Sequence, residues 1–230
     1  MNIKDKSLTA LNVLAVAWAI TTACAIGMIL LYAPMDQTLG WSQKIFYLHV
    51  GAACATAACV CAAFGASVLY LVKKSLKADD VALGAGQSAV VCGAIVLVSG
   101  MMWAKAAWGT FFPLTEVKLL LFLVLWVIFA AYMVLRNAIE DKGKMRAGAA
   151  VFAIMGFISM PFVYFVSRWM QSPGQLHPNV MKAGDSGMEK EMLITLLASI
   201  ASWVLAAAVL MIVRSKIALV ERIIEGSVRE

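Results

Sequence analysis

Six apolar stretches alternate with short polar links along the chain, near residues 10–33, 45–72, 81–103, 114–135, 147–166 and 191–213. Each is long enough to cross a bilayer, which takes about 20 residues at a rise of about 1.5 Å per residue. Backbone inside lipid has to satisfy its own hydrogen bonds, and unbroken apolar runs of this length do so as helices. The pattern predicts an all-α integral membrane protein whose six transmembrane helices form one domain over residues 1–230. The links are too short to hold a separate soluble domain. Lys4 and Lys6 precede the first run, which reads as a retained membrane helix rather than a cleaved signal.

Composition sharpens this picture. Apolar residues make up 63% of the chain and charged residues 14%, against roughly 45–50% and about 25% in soluble domains. That excludes an ordinary soluble globule, a disordered chain and a fibrous repeat. The net charge of +6 does not point to nucleic acid, because the basic residues lie mainly between the apolar blocks and act as topology signals. With the N-terminus placed in the cytoplasm, the links on that side carry thirteen Lys and Arg against six on the other. Positive charge is retained on the cytoplasmic side, so both termini are expected there, in a multi-pass protein of the bacterial or archaeal cytoplasmic (inner) membrane. Links such as Lys73-Lys74-Ser75-Leu76-Lys77 read as solvated charge.

The chemistry collects on the other side. Trp41, Trp103, Trp108 and Trp169, four of the seven tryptophans, fall there, and so do both histidines of the chain. His49 lies about one turn into the second span, and an ionisable side chain in a span normally faces a bundle interior or a cavity. His177 lies in the fifth link, after Pro173 and Gly174. Alone, each histidine has an ordinary structural explanation. Together they put two imidazoles on one membrane face, which suits the axial positions of haem iron. The third link, Met102 to Pro113, packs Trp103, Trp108, Phe111 and Phe112 into a loop shaped by Gly109 and Pro113. It reads either as an interfacial belt or as an aromatic shelf for a porphyrin face. Lys44, Lys105 and Arg168 are candidate partners for propionates, or snorkel to headgroups. Glu116 and Lys118 open the fourth span, with Pro113 as a natural first helical residue.

Other chemistry is missing from the sequence. The five cysteines form no CxxC or CxxCH motif and read as small buried hydrophobes. There is no Walker A, HExxH or GxGxxG pattern, and no charge lies in the middle of a span. An enzyme, a proton pump and an ion-coupled transporter are therefore not expected.

The segment Gln43-Lys44-Ile45-Phe46-Tyr47-Leu48-His49-Val50 resembles the start of the second helix in the haem-handling protein C family of cytochrome c maturation, the haem exporter protein C. That family carries an outer loop reading roughly W-G-K-P-x-W-G-T-W-W-x-W-D-x-R-L. Residues Trp103 to Phe112 match its first ten positions closely. Phe111-Phe112 replace the family's W-W. Its W-D-x-R-L falls on Thr115-Glu116-Val117-Lys118-Leu119 after one extra residue, with the tryptophan lost and the acid and base kept in kind. His177 is similar in placement to a second family histidine.

The resemblance implies that haem b is bound at the outer (periplasmic) face and passed to a membrane-anchored haem chaperone for cytochrome c assembly. The expected partners are that chaperone, a small one-span accessory protein, an ATP-binding cassette pair and the lipid bilayer, with no nucleic acid. His49 and His177 would be axial ligands. Trp103, Trp108, Phe111 and Phe112 would form the platform, joined by Trp169. Lys105 or Arg168 would meet propionates, and Glu116 and Lys118 would orient the loop. Three rivals remain: a sister haem-delivery synthase, a membrane-anchor cytochrome b of a quinone-linked oxidoreductase, and a small-molecule permease subunit without haem.

Overall fold

The computed structural model describes residues 3–169, 177 and 188–227. The described residues form six long helices: α1 (Ile3–Gly27), α2 (Ile45–Lys73), α3 (Leu76–Trp108), α4 (Val117–Ala138), α5 (Lys142–Trp169) and α6 (Lys190–Ser227). All six are long and apolar enough to cross a membrane. A short π-helical stretch, Met28–Tyr32, continues α1, and a 3-10 turn, Trp41–Lys44, leads into α2.

Helix α2 lies at the centre, packed against α3, α5 and α6. Its inward face is built from small residues, with Ala52, Ala55, Cys59 and Ala63 fully enclosed. Ala55, Cys59 and Ala63 meet Ala85, Ala89 and Cys92 of α3, Ala149 and Ala153 of α5, and Ala207 of α6 in one continuous core. In lipid there is little hydrophobic drive between helices, so close backbone approach through small side chains supplies the packing. The larger side chains of this core, Phe129 and Tyr132, come from α4. Helix α1 stands apart. Only 6% of its apolar window is buried, against 50% for α3, and it leans on α6. There the Thr22 and Ser202 hydroxyls share a 2.8 Å hydrogen bond.

The helix ends explain where the links fall. Between α2 and α3 the chain turns through Lys74, which takes a left-handed conformation (φ 52°), and Ser75 caps α3 by accepting from the Ala78 amide. Helix α3 runs past the apolar stretch to Trp108 and stops at Gly109, whose φ of 77° suits a residue without a Cβ. Helix α4 begins at Val117, later than its apolar stretch. Pro113 is therefore not its first residue. Instead the Pro113 carbonyl accepts from the Glu116 amide at 3.0 Å, and Glu116 holds the N-cap position.

At the end of the bundle away from the histidines, Lys73, Lys74 and Lys77 are exposed as expected, but the acids that follow them are not. Asp79, in the first turn of α3, receives both terminal nitrogens of Arg136 at 2.7 and 2.8 Å, and Arg146 lies 3.2 Å away. Asp80 pairs with Arg222 at 2.8 Å. One buried acidic pair thus ties α3 to α4, α5 and α6.

Candidate functional site at the histidine end

His49 is the fifth residue of α2 and faces α3. Its Nδ1 lies 3.1 Å from the Val96 carbonyl oxygen and 3.2 Å from the Ser99 hydroxyl. Close approach is possible because position 100 is glycine: a Cβ there would come within 2.8 Å of the imidazole Cε1. Tyr47, two residues earlier, turns to the opposite face, where it is enclosed with Ala33 and Leu196.

His177 comes to the same place. Its ring meets the edge of Trp108 at a centroid distance of 5.4 Å, and Trp108 in turn meets Trp103 edge-on at 5.2 Å. Its Nδ1 is 3.6 Å from Oε1 of Glu116, whose side chain is only 2% exposed. That is an electrostatic contact rather than a hydrogen bond. His177 is mostly buried, and burial is the main reason its pKa falls to about 3; the Lys118 ammonium and then His49 add to the effect. The imidazole is therefore neutral at physiological pH. Because its folded pKa is depressed, protonation favours any state in which His177 is released to water. That penalty is absent above the unfolded value near 6.5 and grows as pH falls below it.

The histidines, the Trp103–Trp108 pair, Glu116 and Lys118 are thus brought together, from α2, α3, the start of α4 and the fifth link. Trp103 and Lys105 sit on α3 rather than in a loop, because the helix continues to Trp108. The Trp103 indole N–H is buried and has no acceptor among the described residues. Lys105 folds back on its own turn, donating to the Gly109 carbonyl at 2.9 Å and covering the exposed Phe111 ring at 5.4 Å. Phe112 is half-buried. Lys44 is directed elsewhere: its ammonium donates to the carbonyls of Ile29 and Ala33, where the π turn leaves acceptors open. It does not belong to this cluster. The side chains of Arg168 and Trp169 lie outside the described residues. Sequence reasoning did not single out Ser99 or Gly100; the only trace they leave is a Ser-Gly pair at the end of an otherwise apolar run.

A family model described as Heme exporter protein C matches residues 2–229. The chain belongs to the Heme exporter protein C family. It is 29% identical to Heme exporter protein C of Bradyrhizobium diazoefficiens over 165 residues, covering 72% of this chain and 62% of that one. It is 26% identical to the Escherichia coli K12 protein of the same name over 161 residues, 70% of this chain and 65% of that one. The match to a putative cytochrome c biosynthesis ccmC-like mitochondrial protein of Arabidopsis thaliana is weaker, 23%, but covers 95% and 82% of the two chains. The chain thus spans a little under two thirds of the length of the two bacterial relatives. Family and fold agree on a multi-pass protein of the inner membrane with six spanning helices.

Proposed function

We propose that this member of the Heme exporter protein C family holds haem b at the outer membrane face and hands it to a membrane-anchored haem chaperone for cytochrome c assembly. The observation that carries this reading is the meeting of the chain's two histidines at one end of the bundle, His49 set against Val96 and His177 against Trp108 of the same helix, α3. Two neutral imidazoles suit the axial positions of haem iron. The donor set fits the group in a second respect: the buried Trp103 indole N–H is a donor suited to a ligand oxygen. The bias of Lys and Arg between the links supports an outer location for this end.

In this reading His49 and His177 hold the iron from two elements. Trp103, Trp108, Phe111 and Phe112 offer the flat surface, with Trp169 beside them. Lys105 meets a propionate by releasing the Gly109 carbonyl, and Arg168 is the alternative cation. Glu116 steadies His177, and Lys118 sets the field at both imidazoles. The role is carriage, not catalysis. No nucleotide-binding motif is present, so energy for transfer would come from an ATP-binding cassette pair, with a small one-span protein as accessory.

Transfer separates this function from that of a fixed membrane cytochrome b. Haem-loaded protein mixed with the soluble domain of a membrane-anchored haem chaperone should lose its Soret absorption to the chaperone, which can be read after separating the two. Haem that stays with this protein under all ratios would favour the electron-transfer reading.

A further inference from the structure

The contacts of His49 fix more than its position. The Val96 carbonyl can only accept, so the nitrogen that faces it at 3.1 Å carries the proton. The Ser99 hydroxyl donates to a carbonyl of its own helix, Ile95 at 2.6 Å or Val96 at 3.3 Å, and so it too accepts from His49 at 3.2 Å. Both neighbours therefore demand the same tautomer, with the proton on Nδ1. Nε2 is left as the basic nitrogen. Gly100 contributes by leaving the space: a side chain at this position would push the ring off both acceptors.

We infer that α3 acts as a tautomer clamp, in which the Val96 carbonyl, the Ser99 hydroxyl and the open face of Gly100 hold His49 with Nε2 bare and presented for coordination. Ser99 is then a positioning residue for the ligand. The inference rests on the reading of His49 as a haem ligand only in its last step; the tautomer itself is a property of the protein without haem. Partners that accept from the second ring nitrogen of a metal-bound histidine orient the ring and raise its basicity, and their loss typically costs about 10–100-fold in affinity or activity.

The chain has two histidines, so a His177→Gln variant leaves His49 as the only imidazole to observe. Nitrogen-15 spectra of this variant, free of haem and in detergent, should show one protonated nitrogen at Nδ1 and one unprotonated nitrogen at Nε2. A proton on Nε2 would overturn the inference. The haem readout is separate. Ser99→Ala in the otherwise intact protein should weaken haem binding by about 10-fold or more and, once loaded at saturating haem, move the midpoint potential of the bound haem to a more positive value, because the ligand loses basicity. Ser99→Thr, which keeps the hydroxyl, should restore the original potential. Gly100→Ala should weaken haem binding by about tenfold or more. An unchanged potential in Ser99→Ala would show that the hydroxyl does not act on the ligand and would also overturn the inference. If the nitrogen-15 result holds and His49→Ala still binds haem normally, the clamp stands and the ligand assignment falls, so the two failures are distinguishable.

Discussion

Replacing both His49 and His177 by alanine should reduce haem copurifying with the detergent-extracted protein to background, while each single variant should retain a weakened, spectrally altered fraction. The expectation follows from their convergence. His49 is fixed on α2 against the Val96 carbonyl, and His177 is set against Trp108 and Glu116. Loss of an outer partner of such a ligand already costs about 10–100-fold, and loss of the ligand costs more. Neither change should unfold the bundle, because neither residue belongs to the alanine-lined core. Haem content by pyridine haemochrome, with helicity and gel-filtration profile as controls, reads the effect. Full haem retention in the double variant would remove both residues from the site.

The largest stability effect is expected at the opposite end. Asp79→Ala should destabilise the protein by about 3–5 kcal/mol, the usual cost of removing one partner from a buried ion pair. Its side chain and that of Arg136 are each 7% exposed, and Arg146 also leans on it. Removing the carboxylate leaves two guanidinium groups facing each other without compensation, at the junction of α3, α4 and α5. The nearby pair Lys142–Glu225 is the control. It is a single, longer contact at 3.3 Å, and its side chains are 44% and 56% exposed. Glu225→Ala should therefore change stability by less than about 1 kcal/mol. Thermal unfolding followed by helicity should place Asp79→Ala well below the wild type and Glu225→Ala beside it. Equal midpoints for the two variants would show that the Asp79 cluster is surface charge after all.

These two ends of the molecule differ in how far their chemistry can be read from the chain. The six helices are legible because apolar blocks of spanning length allow no other hydrogen-bonded backbone in lipid. His49, His177, Trp103 and Trp108 are legible because the chain has two histidines and because all four fall near the ends of apolar runs, or in the link between two of them, on one side of the membrane. Helix ends are less so. Apolarity stops near residue 103, but the α-helix runs on to Trp108, since Ala104, Lys105, Ala106 and Ala107 all favour helix and the first residue to favour a left-handed stop is Gly109. Lys44 shows a different limit. Its charge marks it as a candidate for any anion, and only the fold reveals that the open carbonyls at the end of α1 take it. Asp79 and Asp80 look like link residues because their partners, Arg136, Arg146 and Arg222, are far away in sequence. Ser99 and Gly100 are the hardest to see. Neither is charged or aromatic, and their importance lies wholly in the ring that packs on them.

Electron paramagnetic resonance of the ferric haem-loaded protein reads whether one haem is held between His49 and His177. Haem held by both histidines should give a low-spin, six-coordinate signal that becomes high-spin in His177→Ala and again in His49→Ala. A signal that is unchanged in both variants would contradict it.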